Sequence, residues 1–454
     1  MASIYLNEKI AEGGFGLVFR VARTEQAVCG DMECRTRECV AKVMERKYAE
    51  QELNKLIHVR DKILDPEMRK SVVIDASMCE IDVVENYHGN PSITKEFGDP
   101  VIIVFENAGI DLFTYITSED YSIPVNRTTL MQMEQFLYFL IILLFKYHMI
   151  HADIKCENIV YSHEKGYRLI DWGLATDLDT ISTRMKSFKR NTVNADNLFY
   201  NLPIAYLYHN LSQGLIGRTG DPQEDYFTRK DIDILIGQVE PYFSNFQENM
   251  ENEIAKANRY FNGQHTQELQ LQIMLKYDVF AMGIVLIEQV SYWYFNLDSN
   301  SIIRKQLLLF IDYLLDRCVI GDVRKMDMFP ELYLAYTSIL LHPVVIDEIE
   351  LTEEDIDHII SRRNEIKQND PNFNLYLANF RKRNISGIWW NDDVLLPALD
   401  GASTEELEIV DSESHFSAIQ EHAETDDISH GGGGTDKSNV HFPNRRMMKF
   451  YKKK

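Results

Sequence analysis

No uninterrupted apolar run in this sequence exceeds ten residues. That run, 136–145, is about half the length of a bilayer-crossing helix. It reads as a buried core helix, and no membrane partner is expected. A secretory leader is not expected either, because residues 1–5 lead straight into Glu8 and Lys9 with no basic region and long apolar stretch. The six cysteines, Cys29, Cys34, Cys39, Cys79, Cys156 and Cys318, contain no CxxC pair. Three of them share a five-residue spacing, but zinc sites use tighter pairs. Plain reduced thiols on a hairpin, and an intracellular, cytoplasmic location, are the expectation. Positive charge is also scarce: 47 Lys and Arg against 70 Asp and Glu give a net charge of −23. Such a balance opposes sequence-independent binding to a nucleic-acid backbone, so no nucleic-acid partner is expected. A solvated acidic surface follows, with a preference for basic substrates as its sharper consequence.

What is present is a chain of 454 residues, 45% apolar, enough for two or three compact units. Up to about Phe105 the pattern is strand-like, with β-branched and aromatic runs at 18–21, 39–44 and 101–105 between Gly and polar turns. One interruption, 48–59, has helical spacing at Leu53, Leu56 and Ile57. Beyond Gly109 long helices are predicted at 131–147, 277–294 and 303–318. The fold class is therefore α+β, a small β-rich unit followed by a larger α-helical one. The polar stretch at about 207–275 behaves as an insertion, and 346–400 reads as a helical extension. From about 401 the chain is acidic, with a glycine run at 431–434, which predicts disorder. Its basic end, including Arg445, Arg446 and Lys449, suits a nuclear targeting patch or a solubilising terminus.

Three motifs carry chemistry. Ile10-Ala11-Glu12-Gly13-Gly14-Phe15-Gly16-Leu17-Val18 lies between strand-like runs, and its glycines would let backbone N–H groups approach phosphate oxygens. It lacks the Gly-Lys-Ser/Thr of a Walker A loop, and a strand rather than a helix follows it. Lys42 lies in a strand that should be half buried, where an ammonium needs an anion. Phosphates and a helix carboxylate would supply one; Glu50 is the first choice, sharing a face with Leu53 and Leu56, and Glu52 the alternative. The third stretch is His151-Ala152-Asp153-Ile154-Lys155-Cys156-Glu157-Asn158, followed thirteen residues after Asn158 by Asp171-Trp172-Gly173. Phosphoryl transfer needs an oriented nucleophile, a held metal and neutralised phosphate charge. Asp153 would orient the attacking hydroxyl and accept its proton, Lys155 would stabilise the γ-phosphate of ATP, and Asn158 with Asp171 would hold Mg²⁺.

Taken together, residues 4–345 resemble the eukaryotic-type protein kinase family, of serine/threonine type. The resemblance implies a bilobal kinase fold with an N-lobe at 1–106, a C-lobe at 107–345 and a protein substrate. It also implies that Ala11, Gly13, Gly14, Gly16 and Val18 cover the nucleotide, that Phe105 is the gatekeeper, and that backbone groups of Glu106 and Ala108 contact adenine. Asp111 would approach the ribose, and Asp278 would anchor the catalytic loop. Residues 106–112 are similar to haspin-like kinases, and the early start with a large insertion resembles kinases of large DNA viruses. Ala11 replaces the first glycine of the loop. Ala152 replaces the Arg through which many members sense a phosphorylated activation segment, so control by that route is not expected. Ile204 replaces a Glu whose usual partner position would be Arg324. A pseudokinase scaffold and a small-molecule phosphotransferase of the aminoglycoside or choline kinase type are the competing readings.

Overall fold

The computed structural model describes residues 6–13, 16–22, 28–30, 32–34, 38–80, 98–118, 120–177, 267–298, 301–319 and 326–369. They belong to one compact unit, Met1–Ser386. Gly14, Phe15, Ile204, Arg324, most of the predicted insertion and the acidic tail lie outside the described residues.

The architecture is α+β, with a β-rich N-terminal region and helices after it. Strands β1 (Leu6–Gly13), β2 (Gly16–Val21), β5 (Cys39–Glu45), β6 (Ala76–Glu80) and β7 (Pro100–Glu106) form an antiparallel sheet in the order β1-β2-β5-β7-β6. Short strands β3 (Val28–Cys29) and β4 (Met32–Glu33) make a separate hairpin. The runs Cys39–Glu45 and Pro100–Glu106 are rich in Val and Ile because both faces of this sheet are buried. On one face Leu17, Phe19, Ala41, Val43, Ile102 and Val104 pack beneath Cys29, Met32 and Cys34 of the small hairpin. On the other, Met44, Val101 and Ile103 meet Ala49 of helix α1 (Arg46–Lys62).

The cysteines depart from expectation. Cys29 pairs with Cys79 and Cys34 with Cys39, with Cα separations of 5.7 and 5.5 Å, so these four are cross-linked rather than free thiols. Among the described residues no cluster of His, Cys, Asp and Glu fits a metal. Cys156 and Cys318 are buried and free. In the loop-entropy account, a 50-residue separation is worth about 4 kcal/mol and a five-residue one about 2 kcal/mol. Treatment with a dithiol reductant should therefore lower the melting temperature, and Cys79→Ser should reproduce more of the fall than Cys34→Ser. Equal melting with and without reductant would contradict the pairing.

A short helix α2 (Pro66–Arg69) follows α1, capped by Asp65, whose side chain accepts from Glu67 N. After β8 (Ile110–Asp111) and α3 (Leu112–Thr117) comes α4 (Arg127–Phe145), started by Asn126, whose side chain accepts from Thr129 N at 2.9 Å. By length and composition α4 could cross a membrane, but 67% of its apolar window is buried inside the protein, as a central helix requires. Strands β9 (Met149–Ile150), β10 (Ile159–Ser162), β11 (Gly166–Leu169) and β12 (Thr176–Asp177) then carry the motif region. Helices α5 (Gln267–Asn296), α6 (Ile303–Arg317), α7 (Phe329–Leu340), α8 (Pro343–Ile349) and α9 (Glu353–Asn369) complete the described chain. Residues 267–275, read from the sequence as the end of an insertion, instead begin α5, and α8 runs across the boundary drawn at 345.

The helical extension is fastened by charge. Arg362 donates to the buried carboxylate of Glu134 on α4 at 2.7 Å, Tyr138 donates to Glu365 at 2.8 Å, and buried Arg363 donates to Leu334 O, Thr337 and Ser338. The groove along this seam, lined by Arg127, Glu134, Asp355 and Arg362, has its charges already paired.

Candidate functional site

Register across the sheet sets the first part of the site. Ala11, Val18, Lys42, Ile103 and Met78 stand directly opposite one another across all five strands. Gly13 pairs with Gly16 at the hairpin end, and a Cβ on Gly16 would lie 2.6 Å from Val43 O. Close packing against β5 therefore requires glycine at that position.

Lys42 Nζ donates to Glu52 Oε2 at 2.7 Å and lies 4.0 Å from Asp171 Oδ2. Glu50 is exposed. Its choice from the sequence is corrected: α1 buries Ala49, Glu52, Leu56 and Val59, a stripe at i, i+3, i+7 and i+10 that turns Glu52 inward and Glu50 out. Burial lowers the Lys42 pKa, but Asp171 and Glu52 outweigh it and hold the ammonium above its ordinary value. Glu52→Ala should therefore cost activity by about tenfold or more, because it leaves a half-buried ammonium without its closest partner, whereas Glu50→Ala should be neutral. Paired rate measurements on the two variants check this; the reverse order would restore the original choice.

The second part is a loop between β9 and β10. Buried Asp278 on α5 accepts from His151 N at 2.6 Å and from Ala152 N at 2.9 Å. These bonds hold Ala152 at φ 62, a left-handed conformation costing a non-glycine residue about 1 kcal/mol. His151 is buried edge-on to Trp172, and burial pushes its pKa down to about 4, so the ring is neutral and its Nε2–H donates to Ile170 O at 2.9 Å. Asn158 Nδ2 donates to both Asp153 O and Asp153 Oδ2 at 2.8 Å, and Lys155 Nζ stands 3.3 Å from Asp153 Oδ2. Burial raises Asp153 to about 6, against the pull of Lys155.

The spacing of thirteen residues has a simple cause. Strands β10 and β11 form a hairpin with Ile159 opposite Leu169, so Asn158 stands opposite Ile170 at its open end and Asp171 follows at once. Ile170 N donates to Asn158 O at 3.0 Å. Asp171 follows in the left-handed region, φ 58 and ψ 70, with its side chain 43% exposed. Burial pushes its carboxyl up, but Lys42 and Lys155 together with the Gly173 N–H pull it below its ordinary value. Asn158 commits its amide nitrogen to Asp153, and its side-chain oxygen is left as an acceptor. An amide oxygen and a carboxylate are donor types that Mg²⁺ accepts, the remaining ligands coming from phosphates and water.

The segment after β7 connects the two parts. Ala108 packs with Val73 and Val160, and Gly109 takes φ 130 where a Cβ would lie 2.2 Å from Tyr161 O. The side chain of Glu106 is engaged by Lys165 and Arg168, leaving its backbone for other roles. Asp111 caps α3: its two oxygens accept from Thr114 N and Thr114 Oγ1, both at 2.8 Å. Sequence reasoning missed the Val73–Val160 contact and a set of basic α1 side chains that reach Ala175 and Asp177, because both depend on long-range packing with no local signature.

No protein-family model and no curated protein matches the chain.

Proposed function

We propose that this chain is an ATP-dependent protein kinase of bilobal fold that transfers the γ-phosphoryl group to serine or threonine hydroxyls. The observation that carries the reading is convergence: β5, α1, the β9–β10 loop and the segment just after β11 bring Lys42, Glu52, Asp153, Lys155, Asn158 and Asp171 together from four separate elements. A structural ion pair would account for Lys42 and Glu52, but not for Asp153, Lys155 and Asp171, three further charged groups near enough to act on one another electrostatically.

In this reading Asp153 orients the acceptor hydroxyl and takes its proton as the oxygen attacks the γ-phosphorus and the bond to the bridging oxygen of ADP breaks. Lys155 beside it neutralises charge on the transferring group, and Lys42, kept protonated by Glu52 and Asp171, engages the remaining phosphates. Asn158 and Asp171 would hold Mg²⁺, which when bound would offset negative charge on the phosphates. Ala108 and Val160, packed together with Val73, would lie under the purine, and backbone groups of Glu106 and Ala108 would contact it.

The test is incubation of the full chain with γ-labelled ATP and Mg²⁺ in the presence of casein, histone or small amino-alcohols. Label on Ser or Thr of protein is the expected result. Label on the amino-alcohols alone would replace the reading with small-molecule phosphotransfer.

A further inference from the structure

Helix α1 touches more than Lys42. Along the stripe that carries Glu52, Lys55 Nζ donates to Ala175 O at 3.1 Å and His58 Nε2 lies 2.9 Å from Asp177 Oδ2. Lys62 donates to Asp177 Oδ1 and, at 3.4 Å, to Tyr147 O. Positions 52, 55, 58 and 62 recur at helical spacing, so one side of a single helix meets first the Lys42–Asp171 pair and then the segment just beyond it. Asp177 sits on β12, opposite Met149, and its neighbour Thr176 is opposite Ile150, the residue immediately before His151. One carboxylate thus joins α1 to the strand that feeds the Asp153 loop and to the segment that follows Asp171. Its side chain is 19% exposed. Burial raises its pKa, but the bonds from Lys62 and His58 prevail and keep it ionised.

We propose that Asp177 is a positioning residue: by pairing with Lys62 and His58 it holds α1, and with it Glu52, in the place where Lys42 and Asp171 meet. The inference rests on the phosphotransferase reading of the site. It assigns to a genetically encoded carboxylate the task of coupling helix to loop, consistent with Ala152, which carries no cation for a modified segment to engage.

Asp177→Ala in the full chain should lower kcat about tenfold or more, since a small misplacement of a charged partner is enough, with the KM for the protein acceptor within twofold of wild type. Asp177→Glu should recover most of the rate. Amide hydrogen exchange across residues 46–62 should rise in Asp177→Ala and stay near wild type in Asp177→Glu. Should Asp177→Ala not fold, the Lys62→Met, His58→Gln double variant removes the same contact from partly exposed positions and should give the same loss. Where all variants fold, adding Asp177→Ala to it should cost little more. A kcat within twofold of wild type, unchanged exchange in α1, or failure of the Glu variant to recover would each overturn the proposal. Absence of any transfer by the wild type would sink the kinase reading, and the exchange data would still decide whether Asp177 holds α1.

Discussion

Asp171→Asn should reduce phosphoryl transfer by about 10²-fold or more while melting within a few degrees of wild type. The side chain is nearly isosteric and 43% exposed, so the substitution removes charge without opening a cavity. That charge does three things. It lies 4.0 Å from Lys42, it would in the proposed reaction be an oxygen donor for a divalent ion, and it is drawn below its ordinary pKa by Lys42 and Lys155 against the cost of burial. Lys42 keeps Glu52 at 2.7 Å in the variant, so the sheet and α1 remain tied. Asp153→Asn should match it in rate, because an amide cannot accept the hydroxyl proton. Initial rates alongside thermal melts decide the matter. A rate within tenfold of wild type would remove Asp171 from the site, and a collapse of melting temperature would make its role structural.

Asp278→Asn should do damage of a different kind, lowering stability and rate together. The carboxylate accepts two backbone N–H groups at 2.6 and 2.9 Å, and an amide offers one oxygen and turns an NH₂ toward the second donor. Leaving a buried N–H without a partner costs about 1–3 kcal/mol, and Ala152 then has less to hold it in its left-handed conformation. With the Asp153 loop loosened, a rate loss of about tenfold or more is expected.

The same pair of carboxylates sets the pH dependence. Burial raises Asp278 to about 7 and Asp153 to about 6, from ordinary values of 3.8. A carboxyl whose pKa rises on folding contributes stability that is fully present below the unfolded value and lost as pH climbs through the folded one. These two groups should therefore make the protein less stable between about pH 4 and 7 while activity, which needs both ionised, climbs over the upper part of that range. In Asp278→Asn the limb near pH 7 should disappear from the stability profile. Buried His151, pushed down to about 4, adds stability of the opposite slope to wild type and variant alike, so the difference between the two profiles is the test: a wild-type minus Asp278→Asn stability that did not fall between about pH 4 and 7 would contradict the burial of Asp278.

Much of this was legible in the chain. The Val- and Ile-rich runs announced β5 and β7 to within a residue or two, because a sheet buried on both faces demands them. The His151–Asn158 and Asp171 motifs were readable since their geometry is local to one loop and one hairpin. Glu50 is the sequence's choice over Glu52 because it shares a helical face with Leu53 and Leu56, of which only Leu56 is buried. The true phase is set by where β5 ends and α1 begins, at Glu45 and Arg46, a junction with no marker in the sequence. Cys29 and Cys79 lie 50 residues apart, and the contacts of Lys62 and Arg168 reach across comparable or longer spans. Pairings at that distance are products of the fold, and spacing alone does not reveal them.

The most direct measurement compares wild type with Asp153→Asn for two readouts in one preparation: the thermal shift given by Mg²⁺ and ATP, and the transfer of γ-label to Ser or Thr of an added protein. An ATP-dependent shift in both proteins, with label transferred only by wild type, is the expected result. A shift in both with no label from either would mean that the site binds nucleotide without catalysis, and the claim that this chain is a kinase would fail.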